Sequence, residues 1–391
     1  MQRARWAFCG LAAVLLAVTS AHAQQPLKIG LLMPYTGQFT DASAQMDHAI
    51  ELYIKQHGDV VAGRKIELIR RDDAGAPDVA KRMARELVVN DKVDILAGFV
   101  ITPEALAVAD VSEQAKKLEV VMNAATAIIT TKSPYIVRTS LTIPQLNEAF
   151  GAWVHKSGVR KVYTLVSDYA PGLDAEGAFQ RGFTGAGGQI VGSLRIPLAN
   201  PDFSAFVQRI KDAGPEAIYI FVPGGAQPAA LAKALIERGM DATKIKILGQ
   251  GEITEENALR GMGDAALGVV TAFHYDHTHD SKVNRDFVAA YNAAYKRNPD
   301  FFSVGGWDGM HLIYEALRKT GGNSDAAALI AAVKGLAWES PRGPVSIDPD
   351  TRDIVQNVYF RKVEKVGGVL QNVEFEKVEH VKDPVKARMT K

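Results

Sequence analysis

Short runs of apolar, often β-branched residues alternate along the chain with longer segments whose apolar positions fall three and four apart. Leu27–Met33 is continuous enough for a buried strand, and Asp41–His57 carries the period of an amphipathic helix. Lys65–Arg70 predicts a second strand. Pro77 stands where a helix would begin, because a first-turn residue has no intrahelical N–H bond to lose. Ala80, Met83, Ala84, Leu87 and Val88 then follow at helical spacing. Val93–Ala97, closed by Gly98, and Glu119–Met122 predict further strands. Strands and helices in strict alternation imply a parallel sheet covered on both faces.

The alternation restarts after Pro144. It predicts strand Lys161–Val166, helix Gly172–Ala186, strand Gln189–Ile196, helix Phe203–Ala213, strand Ala217–Val222, helix Ala226–Arg238 and strand Lys244–Leu248. Two series of similar length predict two similar lobes. Strand Ala266–Phe273 is followed by helices over Lys282–Lys296 and Gly306–Lys319. From Gln356 to Val381 apolar and charged residues alternate, the pattern of a half-exposed antiparallel edge.

The first 23 residues stand apart from this rhythm. Arg3 and Arg5 precede an apolar run from Trp6 to Val18, and Ala21-His22-Ala23 offers small residues before Gln24. This is the order of a secretory signal peptide, with an apolar run shorter than the ~20 residues of a spanning helix. The expected mature protein therefore works outside the cytoplasm. The single cysteine, Cys9, lies early in that apolar run behind bulky Phe8, which argues against a lipid-attachment site. What remains has no thiol, so cysteine nucleophiles and thiolate metal sites are excluded. A formal net charge of +1, without a basic run, argues against nucleic acid as a partner. A 47% hydrophobic composition suits a globular chain with a full core.

No enzyme signature is present: the chain lacks G-x-x-x-x-G-K-[ST], G-x-S-x-G, H-E-x-x-H and a complete G-x-G-x-x-G. Gly185-Ala186-Gly187-Gly188 follows a helix and reads as its C-terminal cap. His274-Tyr275-Asp276-His277-Thr278-His279-Asp280 gathers three histidines and two aspartates, enough to raise a metal-dependent hydrolase as a rival reading. Without partner ligands elsewhere, it reads more simply as a polar connection into the next helix, with no metal and no cofactor. The other candidates are loops at the carboxyl ends of strands, where open α/β sheets bind ligands. In Gly98–Pro103, Thr102 is placed as a helix N-cap with Pro103 at the first helical position, a setting that also suits a ligand carboxylate. Asn123-Ala124-Ala125-Thr126 offers small side chains, accessible backbone and one hydroxyl.

At this point the chain resembles a family. Gly30–Asp41 (GLLMPYTGQFTD) is similar to the opening of the branched-chain amino-acid-binding proteins of ABC importers. Gly98–Glu104, Asn123–Thr126, Tyr135–Thr139, Ser167–Gly172, Gly249–Glu252 and Gly305–Met310 match in the same order. The resemblance implies a type I periplasmic binding fold: two doubly wound parallel-sheet lobes joined by three crossovers near Ser140–Ile143, His274–His277 and Ser340–Pro344. The lobes would comprise residues 24–141 with 275–340, and 142–274 with 341–391.

The family's ligand lies between the lobes, so the resemblance assigns the carboxylate to Thr102, the backbone of Ala124, and Thr126. Glu252 would take an ammonium, although the local alignment also allows Gly251 there. Pro171 and Ala226 stand where many amino-acid binders carry aromatic residues. DYAPG and FVPGG are instead similar to members that take aromatic acids, for which Tyr169 and Phe39 could stack on a ring, unless both are simply core. The expectation is a monomeric, non-enzymatic carrier of a small carboxylate. A branched-chain or similar amino acid is its first candidate ligand and an aromatic or other small carboxylate the alternative. Its partner would be an inner-membrane ABC permease complex.

Overall fold

The structure is a computed structural model that describes residues 25–389. The expected signal segment and Cys9 lie outside the described residues. Among the described residues the strands form two sheets. The first contains β1 (Leu27–Met33), β2 (Val60–Val61), β3 (Arg64–Asp72), β4 (Ile95–Gly98), β5 (Leu118–Val121) and β6 (Ile136–Arg138), in the order β2-β3-β1-β4-β5-β6. All its pairs are parallel except that of the two-residue β2. Leu27, Ile29 and Leu31 on one face of β1, and Leu32 on the other, are fully buried, as a strand covered by helices on both sides requires.

The second sheet begins with β7 (Lys161–Ser167), β8 (Gln189–Ile196), β9 (Ala217–Phe221), β10 (Lys246–Gln250) and β11 (Val270–Phe273). These run parallel in the order β8-β7-β9-β10-β11. The chain completes it antiparallel with β12 (Ala337–Ser340), β13 (Gly343–Ile347), β14 (Ile354–Val366) and β15 (Val369–Val381). The alternating tail is thus a hairpin around Gly367-Gly368, and only its second arm is a half-exposed edge. Its first arm, β14, is buried over eight consecutive residues because β11, β13 and β15 flank it.

Helices Lys282–Tyr295 and Phe301–Thr320 return to the first lobe. The hydroxyls of Tyr291, Tyr295 and Tyr314 donate to the backbone carbonyls of Gln45, His48 and Gly58 at 3.2, 2.9 and 2.7 Å. Gly306 lets this second helix approach so closely that a Cβ there would lie 2.6 Å from the Met46 carbonyl. That helix starts five residues before the expected Gly306, because Asp300 caps it through the Ser303 N–H at 3.0 Å.

Buried arginines tie the passages between lobes. Arg342 donates to the carbonyl of Ser140 at 2.6 Å and to that of Thr139, and pairs with Asp308 at 2.6 Å. Arg361 donates to the Tyr275 carbonyl at 2.9 Å and pairs with Asp276 at 3.2 Å. Arg138 donates to Asp353 at 2.7 Å and to the carbonyls of Ala124 and Thr126 at 3.2 and 2.7 Å, so it fixes the loop after β5.

Candidate functional site

The loops at the carboxyl ends of the strands in both lobes meet around one cavity. β1, β4, β5 and β6 lead to Phe39, Val100–Thr102, Asn123–Ala125 and Leu141; β7, β9 and β10 lead to Tyr169 and Pro171, to Phe221, Pro223 and Gly224, and to Glu252. Phe301 and Phe302 close it. About 440 Å³ of space there is not filled by atoms, part of it open to solvent. Five aromatic rings take part: Phe39, Tyr169, Phe221, Phe301 and Phe302. Tyr169 lies nearly parallel to Phe221 (centroids 6.3 Å, 28°), and Phe301 packs on Phe302 at 3.9 Å.

Several helices begin at this wall. Thr102, Ile143 and Phe301 are the first residues of Thr102–Ala115, Ile143–Lys156 and Phe301–Thr320, and Tyr169 precedes Ala170–Gly185. These helix starts lend the wall a partial positive charge, favourable to an anion without any Lys, Arg or His in its lining, although the Ile143 N–H is taken by the Ala125 carbonyl at 3.0 Å and the Ser303 N–H by Asp300 at 3.0 Å. Gly172 permits the tight turn after β7, since a Cβ there would sit 1.8 Å from the Ser167 carbonyl.

Glu252 is the lining's only carboxylate among the described residues. Burial raises its pKa from the ordinary 4.5 to about 7, against the opposing effects of its own N–H, the Gln250 bond and the Arg361 charge. Its Oε1 accepts from Gln250 Nε2 at 2.7 Å, while Oε2 is buried and unpartnered. Gly251 does not compete for this position: a Cβ there would meet the Phe273 ring at 2.2 Å, away from the cavity.

Five of the six residues singled out from sequence line the cavity: Phe39, Thr102, Ala124, Tyr169 and Glu252. Two details differ. Thr102 is the first helical residue and Ile101 the cap, because the Glu104 carboxylate reaches back to accept from the Ile101 N–H at 3.1 Å. The Ala124 backbone is already committed, its N–H to the Phe99 carbonyl at 2.9 Å and its carbonyl to Arg138. Thr126 stands behind the wall and donates its N–H to Thr102 Oγ1 at 3.3 Å, which leaves the Thr102 proton free to turn inward. Sequence reasoning missed Phe301 and Phe302, although Asp300 three residues before Ser303 is a helix-start signal. It gave the backbone contact of the Asn123–Thr126 loop to Ala124 rather than to Ala125, whose N–H has no partner among the described residues.

The His274–Asp280 segment connects β11 to helix Lys282–Tyr295. Asp276 is bound by Arg361 and by Asn372 at 2.8 Å, and His279 faces Glu374 at 3.0 Å. Asp280 pairs with Arg285. His274 is buried, and burial together with the charges of Arg342 and Arg361 holds it well below its ordinary pKa, hence neutral. Among the described residues no group of three His, Cys, Asp or Glu is arranged to hold a metal ion.

The family profile described as periplasmic binding protein matches residues 26–368. The chain belongs to the periplasmic binding protein family. A Leu/Ile/Val-binding protein homolog 6 from Brucella melitensis is 44% identical over 92% of this chain and 93% of its own length. The solute-binding protein of an ABC transporter from Rhodopseudomonas palustris BisB5, in complex with 3,4-dihydroxybenzoic acid, superposes with a TM-score of 0.90. It is 56% identical, over 92% of this chain and 99% of that one. A second such protein, from R. palustris HaA2 in complex with p-hydroxybenzoic acid, gives 0.89 at 41% identity, over 93% and 100%. This periplasmic binding protein is accordingly the solute-binding component of an ABC transporter, a protein of the periplasm that takes a small-molecule ligand to a permease. These relatives are solute-binding proteins rather than enzymes.

Proposed function

We propose that this periplasmic binding protein captures an aromatic carboxylic acid between its lobes for import. The observation that carries the reading is the composition of the wall: five rings, several helix N-termini and one carboxylate that burial keeps partly neutral at pH 7. An amino acid would bring an ammonium that draws Glu252 into its ionised form, whereas an aromatic acid brings one anionic end and a flat apolar body that matches five rings and the helix N-termini. In the proposed pose the carboxylate meets the Thr102 hydroxyl and the N–H groups of Thr102 and Ala125. The ring lies among Phe39, Tyr169, Phe221, Phe301 and Phe302, where each aromatic pair adds about 0.5–1.5 kcal/mol beyond area burial. The R. palustris proteins with hydroxybenzoates, at 56% and 41% identity, support the assignment.

A branched-chain amino acid is the second reading, favoured by the name of the Brucella relative and by the free Glu252 Oε2. A thermal-shift screen separates them. 4-Hydroxybenzoate, 3,4-dihydroxybenzoate and benzoate are set against leucine, isoleucine and valine, and the expected outcome is stabilisation by the aromatic acids. Stabilisation by the amino acids alone would overturn the proposal. Because the cleft binds by closing on its ligand, contacts must come from both lobes, and Thr102 and Glu252 supply one from each.

A further inference from the structure

Glu252 ends a chain of buried side chains whose polarity can be read from one fixed point. The Ile143 carbonyl can only accept, so the atom of Asn147 that meets it at 2.8 Å is the amide nitrogen. The same nitrogen therefore donates to Gln250 Oε1 at 2.5 Å, and Asn147 Oδ1 accepts from the Tyr219 hydroxyl at 2.5 Å. With its oxygen so engaged, Gln250 must turn its NH₂ group to Glu252, and Glu252 Oε1 can only accept. Any proton on Glu252 consequently resides on Oε2, the oxygen that has no protein partner and belongs to a residue of the cavity wall. Asn147, Tyr219 and Gln250 are at most 1% exposed, and Glu252 is 7% exposed, so water does not compete freely along the chain.

This arrangement goes further than shape. Building on the aromatic-acid reading above, we infer that Glu252 Oε2 is the recognition point for a ring hydroxyl remote from the carboxylate. The preferred ligands are then 4-hydroxylated benzoates rather than benzoate itself. Tyr219, Asn147 and Gln250 act as positioning residues that fix which oxygen faces the ring. The neutral acid donates a hydrogen bond to the hydroxyl oxygen, and the ionised acid accepts one from the hydroxyl O–H, so either state completes the bond. Burial supports the first state at neutral pH, with Arg361 the facing cation that opposes it. Benzoate would leave Oε2 enclosed without a partner, and sites built around a hydroxyl discriminate against analogues that lack it.

The test is calorimetric titration of the wild-type protein, Glu252→Leu and Glu252→Gln with 4-hydroxybenzoate, 2-hydroxybenzoate and benzoate. Wild type is expected to prefer 4-hydroxybenzoate over benzoate by about tenfold or more. 2-Hydroxybenzoate, whose hydroxyl lies beside the carboxylate, should group with benzoate. In Glu252→Leu the preference should fall to within about twofold. Glu252→Gln should retain it, because Gln250 forces the new amide to present its NH₂ where Oε2 stood. A wild-type protein that binds all three acids alike, or a preference that survives Glu252→Leu, overturns the inference while leaving the aromatic-acid reading intact. Failure of every benzoate to bind overturns both.

Discussion

Replacing Glu252 by Gln should make the ligand-free protein more stable at alkaline pH and leave it nearly unchanged under acid conditions. The carboxyl has an ordinary pKa of 4.5 in the unfolded chain and about 7 in the folded one. Below pH 4.5 it is protonated in both states and contributes no difference. Between 4.5 and 7 the unfolded chain releases the proton while the folded one keeps it, so stability falls as pH rises. Above 7 the loss is complete. At about 1.4 kcal/mol per pH unit, a raise from 4.5 to about 7 corresponds to a loss of about 3 kcal/mol. The substituted amide accepts the same bond from Gln250 without a charge to bury. Asp73 and Asp300, raised by burial to about 6 and 7, titrate with the same sign in both proteins and cancel from the difference. Denaturant titrations at pH 4, 6 and 8 should give a variant-minus-wild-type difference near zero at pH 4, rising to roughly 2–3 kcal/mol at pH 8. Parallel stability profiles for the two proteins would refute the burial argument.

Thr102→Ala should weaken ligand binding by roughly five- to twentyfold and hardly alter the melting temperature, because its hydroxyl accepts a single 3.3 Å bond from Thr126; unchanged affinity in calorimetry would remove Thr102 from the carboxylate site. Arg138→Met should lower stability by about 3–5 kcal/mol, because it leaves Asp353 buried beside Lys386 and frees the Ala124–Thr126 loop; urea denaturation reads this directly. Gly172→Ala should cost more than an ordinary surface change, since the turn after β7 has no room for a methyl group, and the yield and melting temperature of the variant check it. Prolonged chelation should change neither melting temperature nor affinity, because the carboxylates of the His274–Asp280 segment are held by Arg361, Asn372 and Arg285.

The sheets were legible from sequence because β1 and its counterparts are short apolar runs between amphipathic helices, a periodicity set by burial on both faces. The site loops were legible where a hydroxyl residue and a proline mark a helix start, as at Thr102-Pro103, although Ile101 is the cap there. Its backbone chemistry was not. Whether an N–H is free depends on pairing across the sheet, which is why Ala124 proved committed and Ala125 open. Phe301 and Phe302 were hidden because Gly305 and Gly306 break the apparent period of a helix that in fact runs through them. The chain behind Glu252 was hidden for a different reason. Asn147, Tyr219 and Gln250 lie far apart in sequence, and each looks unremarkable until the fold joins them.

The helix ends around the cavity have a consequence for the empty protein. Thr102–Ala115 presents its N-terminus from one lobe and Ala170–Gly185 from the other; Glu252 is the only carboxylate of the cavity lining among the described residues, and Asp174 of the second helix is engaged outside it by the Ala127 N–H at 2.8 Å. Like partial charges facing across an unfilled gap repel, and an anion in the gap reverses the sign of that interaction for both at once. On the aromatic-acid reading, the ligand's carboxylate is the counter-charge between two helix ends of like sign. A permease that engages only the joined form would read the presence of an anion as a change of shape, without touching the anion itself.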